Sequence, residues 1–406
     1  MRVLMVSPHP VYSPRGTPIA VLNRCRALSV LGHEIDLVTY PVGEDLEVPG
    51  LRYIRPPVPG IKSVPVGVSW RKVPLDIAVI VRAAWALSVH RKRYQVLHTH
   101  EEAGVLGYLA RLLHVAHIYD MGNELSVVAV NYGFGPRHPL ARAASVVERG
   151  IVRHSEAVIA HFPAIEESVR KWAPGKPVEV VFNVPLGGPA SADIAAALRA
   201  EWSPEGRLVA LYAGTLERYQ GVDNLVEAMR DPAVQSTGLR LVVVGGSPPQ
   251  VEALTSRVAD LVASGSIVFT GGMAQEKVAS ALLAADVLVS PRVSGTNTPL
   301  KLFDYLRSGR PVLATRISSH TQVVDEASAL LVGTSPGDLA AGLARLAKDP
   351  ELRRRLSEGA SQLWSRYGPD EFVEGVRRAY AMLGTPDADQ WRLLRAVPVS
   401  KTVGGQ

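Results

Sequence analysis

Short apolar segments alternate with longer segments of helical periodicity along most of the 406 residues. The short segments are rich in Val and Ile, which is typical of strands buried on both faces of a parallel sheet. The alternation predicts an α/β fold in which helices cover both faces of each sheet. In the first half of the chain we predict helices over residues 17–31 and 140–154 and seven strands, over residues 2–7, 34–39, 51–55, 96–100, 117–121, 157–160 and 178–182.

Breaker residues concentrate in residues 183–189, with the sequence NVPLGGP, and predict a domain junction there. Ser335 before Pro336, with Asp338 in the first turn, predicts a helix start, and three helical segments continue to about residue 384. The sequence thus predicts two doubly wound, Rossmann-like domains over residues 1–184 and 190–384, and a tail of residues 385–406. The strands of the second domain are predicted over residues 208–213, 239–244, 266–270, 286–290, 311–314 and 329–332.

Two such domains are expected to face each other across a cleft. In parallel α/β sheets, ligands bind at the carboxyl ends of the strands, where helix N-termini present free N–H groups and partial positive charge. We therefore expect the active site in that cleft, with closure about residues 183–190 excluding water from it.

Composition restricts the class of protein. The single cysteine, Cys25, cannot form an internal disulfide, and no Cys/His cluster has zinc-site spacing, so a reducing compartment is predicted. The N-terminus has the pattern of a buried strand rather than of a signal peptide. The most apolar helical segment, residues 75–89, carries Asp76 and Arg82 and is too short to span a membrane. We therefore predict a cytoplasmic protein.

The excess positive charge lies in the first half of the chain. Residues 1–190 hold 21 Lys and Arg against 15 Asp and Glu, whereas residues 191–406 hold 23 of each kind. With the basic clusters at residues 71–72 and 90–93, this excess favours peripheral contact with the inner membrane face or an anionic or lipid-linked acceptor. A solvated surface without a partner explains it equally well. The clusters lack the interleaved aromatic side chains of a nucleic-acid platform, so we predict no nucleic-acid partner.

Two common phosphate-binding motifs are absent from the sequence. The first strand-to-helix turn lacks Gly-x-Gly-x-x-Gly, and no Walker A loop is present, so nicotinamide and P-loop chemistry are not predicted. Gly16 stands at that first turn instead. A backbone turn at Gly16 could approach an anion, or it could simply begin a helix.

The most specific stretch, residues 286–315, has the pattern of a buried strand, a small polar loop and a helix with Lys301 in its first turn. The N–H groups of the loop and of the helix N-terminus can hold a diphosphate, and Lys301 adds a positive charge. Asp304 follows three residues later on the same helical face, where its carboxylate can accept hydrogen bonds from ribose hydroxyls. The alternative is a surface ion pair between the two side chains.

This stretch resembles the donor-binding region of the retaining GT-B-fold glycosyltransferases of family 4, and the resemblance covers nearly the whole chain. It implies transfer of a sugar from a nucleotide-diphosphate donor with retention at the anomeric carbon, without a bound metal or other cofactor. The absence of Asp-x-Asp after a strand agrees with this, since Asp387 and Asp389 fall in the tail. Besides residues 286–315, the resemblance rests on Gly16, residues 32–34 (GHE), 98–100 (HTH), 212–215 (YAGT) and 221–222 (GV).

The chain departs from the family pattern at several charged positions. The family's paired glutamates correspond to Thr296 and Asp304, and its diphosphate-clamping Arg and Lys correspond to Thr215 and Gln220. We expect Lys301 to supply the charge instead, with Arg218 and Arg292 as the other candidates. The predicted donor-binding residues are Gly16, Gly214, Thr215, Arg218, Gln220, Gly295, Thr296, Asn297, Thr298, Lys301 and Asp304.

In the first domain the resemblance predicts a His after the strand of residues 117–121, where this chain has Gly122. We assign His100, Asp120 and Asn123 as candidate catalytic residues that contact the sugar or the acceptor. His98 and His100 share a strand face and could be metal ligands, but no third ligand is evident from the sequence, so no metal site is predicted.

The sequence therefore predicts a metal-independent glycosyltransferase that acts by positioning the reactants and stabilising the departing diphosphate. Two alternatives remain open: a nucleotide-sugar-binding protein that has lost turnover, and a nucleotide-sugar epimerase. The donor's base and sugar, the acceptor and the oligomeric state are not specified by the sequence. Base recognition is expected from backbone groups around Gly271 and Gly272.

Overall fold

The computed structural model describes residues 1–13, 16–58, 60–61, 63–64, 69–131, 135, 138–184 and 188–384. The tail of residues 385–406, with Asp387 and Asp389, and residues 185–187 of the predicted junction lie outside this set. The chain divides into two compact units, and the boundary falls between Asn183 and Val184.

The first unit contains one parallel sheet, which within the described residues has seven strands in the order β3-β2-β1-β4-β5-β6-β7. The strands are β1 Arg2–Val6, β2 Glu34–Val38, β3 Leu51–Ile54, β4 Val96–His100, β5 Ala116–Met121, β6 Ala157–Ala160 and β7 Val178–Val180. The α-helices between them are α1 Gly16–Val30, α2 Val73–Val89, α3 Leu106–Leu112, α4 Leu125–Asn131, α5 Pro139–His154 and α6 Pro163–Trp172, with 3₁₀ turns at Trp70–Lys72, Arg91–Arg93 and Glu101–Val105.

The second unit contains a parallel sheet of six strands, in the order β10-β9-β8-β11-β12-β13 across its described residues. The strands are β8 Val209–Ala213, β9 Arg240–Val244, β10 Ile267–Gly271, β11 Val287–Ser290, β12 Val312–Thr315 and β13 Ala329–Val332. The helices are α7 Ala192–Trp202, α8 Val222–Ala228, α9 Pro232–Gln235, α10 Pro248–Arg257, α11 Ala259–Ala263, α12 Gln275–Ala284, α13 Leu300–Ser308, α14 Ser318–Thr321, α15 Pro336–Lys348 and α16 Pro350–Trp364, with a 3₁₀ turn at Arg218–Gln220.

The predicted α/β class and the positions of the strands are confirmed. The strands β4, β6 and β13 have the predicted bounds. The predicted start of α15 is confirmed as well: the Ser335 hydroxyl accepts a hydrogen bond from the Asp338 N–H at 3.2 Å, and the Asp338 carboxylate accepts one from the Ser335 N–H at 3.3 Å. β7 is shorter than predicted and ends at Val180.

The order of the strands reverses direction once in each sheet, between β1 and β4 in the first unit and between β8 and β11 in the second. Helices that follow the strands on either side of such a point leave in opposite directions, which opens a crevice at the carboxyl ends of the strands. Each unit therefore has a defined place where a ligand site is expected.

The last helix, α17 (Pro369–Ala381), belongs to the first unit, whereas we expected the second domain to continue to residue 384. The helix buries an apolar stripe that includes Phe372, Val376 and Tyr380, and it packs against α1, β6 and β7. Its Arg378 Nε also donates to Glu179 at 2.7 Å. The spacing of the stripe predicts an amphipathic helix, but it does not say which sheet the helix covers.

In the part of the chain that the structure describes, none of the helices combines the length and the hydropathy needed to cross a bilayer.

Replacing Phe372 by Ala tests the assignment of α17 to the first unit. Phe372 is 3% exposed, so the truncation should cost about 3–5 kcal/mol in the free energy of unfolding. Hydrogen exchange should show the loss of protection in β6, β7 and α1. The control Asp370→Ala, on the exposed first turn of α17, should cost less than about 1 kcal/mol. Loss of protection confined to β8–β13 would contradict the assignment.

Candidate functional site

Glycines allow a close approach of two backbone segments at the ends of β8 and β9. Gly245 has a φ of 113°, and a Cβ added to it would lie 2.0 Å from the carbonyl oxygen of Gly214. Gly214 itself has a φ of 152°. Larger residues would therefore force these two turns apart. The two turns lie at the carboxyl ends of the neighbouring strands β8 and β9, and Gly214 is exposed there.

Helix α13 is fixed at the same point by Tyr305. The Tyr305 hydroxyl accepts a hydrogen bond from the Ala213 N–H at 3.1 Å and donates to the Val289 carbonyl at 3.3 Å. It therefore ties α13 to the ends of both β8 and β11. This brings Lys301, in the first turn of α13, beside Gln220 of the 3₁₀ turn, with 2.9 Å between the Lys301 Nζ and the Gln220 Oε1.

Lys301 carries a positive charge that no carboxylate balances within the described part of the chain. Its Nζ lies 4.0 Å from the centroid of the Tyr212 ring, a cation–π contact. Burial and the nearby charge of Arg292 hold the pKa of Lys301 well below its usual range. An anion bound at this position would relieve both effects.

Arg292 shapes the loop of residues 291–299. Its Nε donates to the Ser294 carbonyl at 2.8 Å and its Nη1 to the Asn297 carbonyl at 2.7 Å. Its guanidinium also lies 5.1 Å from the centroid of the Tyr219 ring. Gly295, with a φ of 115°, makes room for it, because a Cβ there would lie 2.5 Å from Nη2. Arg292 therefore organises the loop, and two of its nitrogens are already engaged.

The loop itself reaches the surface. Ser294, Gly295 and Thr296 are exposed. Gln322 Nε2 holds the next part of the loop through the Thr296 carbonyl at 2.9 Å and the Thr298 hydroxyl at 2.8 Å. The polar turn before α13 is thus accessible, and Gln322 supports it through two hydrogen bonds.

The other predicted donor-binding residues occupy different positions. Asp304 is half-buried, lies 3.8 Å from Arg307 rather than paired with Lys301, and burial raises its pKa to about 6. Thr215 and Arg218 are exposed near the end of β8. Gly16 begins α1 in the first unit, and a Cβ added there would meet nothing within 4 Å, so no steric constraint requires glycine.

A cavity of about 430 Å³ lies at the ends of β9 and β10. Gly271 and Gly272, where base recognition was expected, are part of its wall, together with the partly buried ring of Phe269. The opposite wall comes from α10 and includes Val251 and Thr255. A flat aromatic group could enter between an apolar wall and exposed backbone.

In the first unit Asp120 is the centre of a buried charged cluster. Its Oδ2 lies 3.0 Å from the Arg24 Nε and 3.2 Å from the His98 Nε2, and its Oδ1 lies 2.5 Å from the His161 Nε2. Burial alone would raise the pKa of Asp120, but Arg24, His161 and His100 together hold it well below its usual range. Asp120 and Arg24 are both fully buried, so this ion pair lies beneath the surface of the first unit.

His100 is also buried and stacks on His98, with 5.0 Å between the ring centroids. Neither of its ring nitrogens has a hydrogen-bond partner among the described residues. The structure supplies the third metal-ligand candidate that was not evident from the sequence, since atoms of His98, His100 and Asp120 lie within 4.8 Å of one another. The Arg24 guanidinium on the same carboxylate opposes a cation there.

Glu101 is the residue at this edge that the sequence analysis missed. It follows β4 with a φ of 48°, and its carboxylate lies 3.3 Å from the His9 Nε2 and accepts a hydrogen bond from the Asn123 Nδ2 at 3.2 Å. Burial would raise the pKa of Glu101, but the bond and charge of His9 lower it to about 2. The available signal was a Glu-Glu pair directly after a strand end. His9, Glu101 and Asn123 join the ends of β1, β4 and β5.

Comparison with known proteins places both units in recognised domain types. The model described as "Glycosyl transferase 4-like domain" matches residues 15–184, and that described as "Glycosyl transferases group 1" matches residues 195–363. The chain is 26% identical to a D-inositol 3-phosphate glycosyltransferase of Acidothermus cellulolyticus, over 93% of this chain and 90% of that protein. It is 24% identical to a phosphatidyl-myo-inositol mannosyltransferase of Mycolicibacterium smegmatis, over 94% and 93% of the two chains.

Solved structures show a similar fold. Anabaena Alr3699/HepE in complex with UDP has a TM-score of 0.71 at 14% identity and covers 94% of this chain and 100% of its own. WaaG, a glycosyltransferase involved in lipopolysaccharide biosynthesis, has a TM-score of 0.66 at 15% identity and covers 94% and 99% of the two chains. These likenesses confirm the predicted architecture of two Rossmann-like domains.

Asp120→Asn tests whether the buried cluster supports the first unit. The substitution leaves the Arg24 charge buried without its partner, so we expect a loss of about 3–5 kcal/mol in the free energy of unfolding. Denaturant unfolding at pH 7 measures it. The control Glu166→Gln removes the carboxylate of an exposed ion pair with Arg170 and should cost no more than about 1 kcal/mol. Equal losses in the free energy of unfolding for the two variants would show that the buried cluster stabilises the first unit no more than an exposed ion pair does.

Proposed function

This chain is a glycosyltransferase enzyme with the GT-B fold, and we propose that it transfers a sugar from a nucleotide-diphosphate donor with retention of the anomeric configuration. The second unit would bind the donor and the first unit the acceptor. The proposal is supported by the unbalanced charge of Lys301 and by the UDP bound to HepE, a protein of similar fold.

The Lys301 charge is the observation that carries the donor assignment. A lysine that is desolvated and repelled by Arg292 is unfavourable until an anion joins it. The first turn of α13 adds N–H groups and partial positive charge at the same place. Two linked phosphates satisfy this site better than a neutral ligand does. Gln220, which replaces a basic residue of the family pattern, holds Lys301 through its side-chain oxygen.

We assign the remaining donor contacts from the residues around Lys301. Asp304 lies one helical turn further along α13, and its carboxylate would accept hydrogen bonds from the ribose hydroxyls. The base would enter the cavity bordered by Phe269 and Gly271. The accessible loop at Gly295 and Thr296 would receive the sugar.

For the acceptor we infer a polyol, in line with the inositol compounds in the names of two relatives. Glu101 is placed to accept hydrogen bonds from such hydroxyls, since its carboxylate is held charged by His9 beside Asn123. Asp120 and His100 are buried in the first unit, so we assign them as positioning residues that would not contact the acceptor.

Catalysis would rest on positioning and charge. The acceptor oxygen forms a bond to the anomeric carbon on the face that the diphosphate leaves, and the bond from that carbon to the diphosphate oxygen breaks. The proton of the acceptor hydroxyl passes to the departing diphosphate oxygen. Lys301 and the α13 N-terminus stabilise the negative charge that develops on that oxygen, so the proposal requires no metal ion.

The nucleotide-sugar donor needs its own test, because Thr215, Gln220 and Thr296 are neutral at positions that are charged in the family pattern. Incubation with labelled UDP-, GDP- and ADP-sugars provides it. Release of free or transferred sugar from one of them supports the proposed donor, and release from none of them contradicts it.

Lys301→Met tests the diphosphate site. We expect nucleotide-sugar affinity to fall about 10- to 100-fold, the worth of a hydrogen bond to a charged group, and kcat/KM to fall at least as far. Calorimetric titration and a labelled-sugar assay measure the two quantities. The control Lys277→Met removes an exposed lysine of the same unit. Unchanged affinity and transfer in Lys301→Met would contradict the proposed site.

The lowered pKa of Lys301 predicts proton uptake on binding. A bound diphosphate opposes the burial and the Arg292 charge that lower the pKa of Lys301, so it raises this pKa, and affinity should increase as the pH falls through the pKa of the free protein. Below pH 6 affinity should decline, because Asp304 becomes protonated. Titrations in buffers of different ionisation enthalpy measure the uptake. Uptake that persists in Lys301→Met would assign it to another group.

A further inference from the structure

Helix α2 presents a row of apolar side chains to solvent. The row follows every fourth residue, and its members are between 36% and 61% exposed. At 1.5 Å per residue the row is about 24 Å long. It consists of Val73, Ile77, Val81, Trp85 and Val89.

The opposite face of α2 is equally apolar. Leu75, Val79, Ala83 and Leu87 are buried in the core of the first unit, so the helix cannot turn its outer row inward. The charged residues of α2 are Asp76, which accepts a hydrogen bond from the Tyr40 hydroxyl, and Arg82. Surface helices of globular proteins normally carry polar residues on the outer face. The outer row of α2 therefore lacks the polarity expected of a face that stays in water.

Basic residues lie at both ends of α2. Arg71 precedes it, and the 3₁₀ turn of Arg91, Lys92 and Arg93 follows it, with these four side chains exposed. The apolar row is therefore bordered by positive charge. This combination attracts a surface that is negative on the outside and apolar beneath.

A cavity of about 380 Å³ lies beside α2, and its walls include four arginines and Trp85. Three of these arginines, Arg52, Arg55 and Arg93, lie within 4.0 Å of carboxylates of the first unit. The fourth, Arg82, stacks on Trp85 at 4.6 Å, and its buried Nη1 has no hydrogen-bond partner among the described residues. Among the described residues no carboxylate lies within salt-bridge distance of Arg82, so its guanidinium brings an unpaired positive charge to the cavity wall next to the apolar row.

We propose that α2 is an interfacial membrane-docking helix for a bilayer of anionic phospholipid. The outer row inserts at the boundary between headgroups and acyl chains, and the basic turns contact the headgroup layer. The cavity receives a lipid phosphate, which pairs with the guanidinium of Arg82 in its wall. This surface is formed entirely by the first unit and does not depend on the proposed donor site.

Charge distinguishes this partner from a second copy of the chain. A two-fold dimer through α2 would set the same patch against itself and bring the basic turns of the two copies near one another. A single helix row is also narrow compared with the roughly 800 Å² that each partner of a stable dimer buries. An anionic bilayer instead neutralises the basic turns and covers the row along its whole length.

Co-sedimentation of the full chain with vesicles tests the proposal. Wild-type protein should bind phosphatidylglycerol vesicles at low salt and bind phosphatidylcholine vesicles more weakly, and added salt should weaken binding to the anionic vesicles. Val81→Gln should lower the partition coefficient roughly fivefold, and Ile77→Gln with Val81→Gln and Trp85→Gln at least about 100-fold. Arg82→Gln should reduce the preference for the anionic lipid about fivefold. The matched control is Val30→Gln, an exposed valine of α1 in the same unit, which should bind as wild type does.

Absence of wild-type binding to the anionic vesicles, or equal binding by the triple variant, would overturn the proposal. So would sedimentation velocity without lipid showing a wild-type dimer that the triple variant loses, since the row would then be a self-association surface. Nucleotide binding measured on the same samples keeps the two proposals apart. Vesicle binding without any nucleotide binding would contradict the proposed function and leave this inference intact.

Discussion

Parallel pairing of the strands is the constraint on which the rest of this structure depends. In each described sheet every pair of neighbouring strands is parallel, so all the carboxyl ends of a sheet lie along one edge. Residues that are far apart in sequence meet there without any local motif. Glu101 meets His9 and Asn123 at such an edge, and Lys301 meets Gln220 and Tyr212 at the other.

The buried charge of Asp120 is paired with opposite charge in the first unit, whereas that of Lys301 lacks such a partner among the described residues of the second. Asp120 is buried together with Arg24 and three histidines, so its charge is balanced inside the protein and serves the fold. Lys301 has an amide oxygen and an aromatic ring for neighbours, and a second cation, Arg292, lies close enough to lower its pKa. The Asp120 charge is therefore balanced within the first unit, whereas no carboxylate among the described residues pairs with Lys301, so a bound anion would stabilise it. This contrast is the physical reason for separating positioning residues from ligand-binding residues in this protein.

Helix α2 presents the same contrast between a buried part that the fold uses and a part without a partner, but with apolar surface in place of charge. Its inner face is used by the core, and its outer face remains apolar although it is exposed. The sequence pattern indicated a strongly apolar helix flanked by basic residues, and the charge excess of the first half fitted an anionic partner and a solvated surface equally well. Burial of one face showed that the helix is anchored in the unit, which makes the bilayer surface, rather than its interior, the environment that suits the other face.

The sequence by itself determined the α/β class, the positions of the strands and the helix start at Ser335, because these follow from local periodicity and capping. It also singled out Lys301 and Asp304, since a polar loop before a helix start is a local pattern. Only the tertiary structure decided that α17 joins the first unit, that Arg24 and His161 surround Asp120, and that Arg292 is engaged by its own loop. Glu101 belongs to a Glu-Glu pair that the sequence shows, but its charge is set by His9, which is distant along the chain. Local patterns fix local structure, whereas the balance of a buried charge depends on neighbours that only the folded chain brings together.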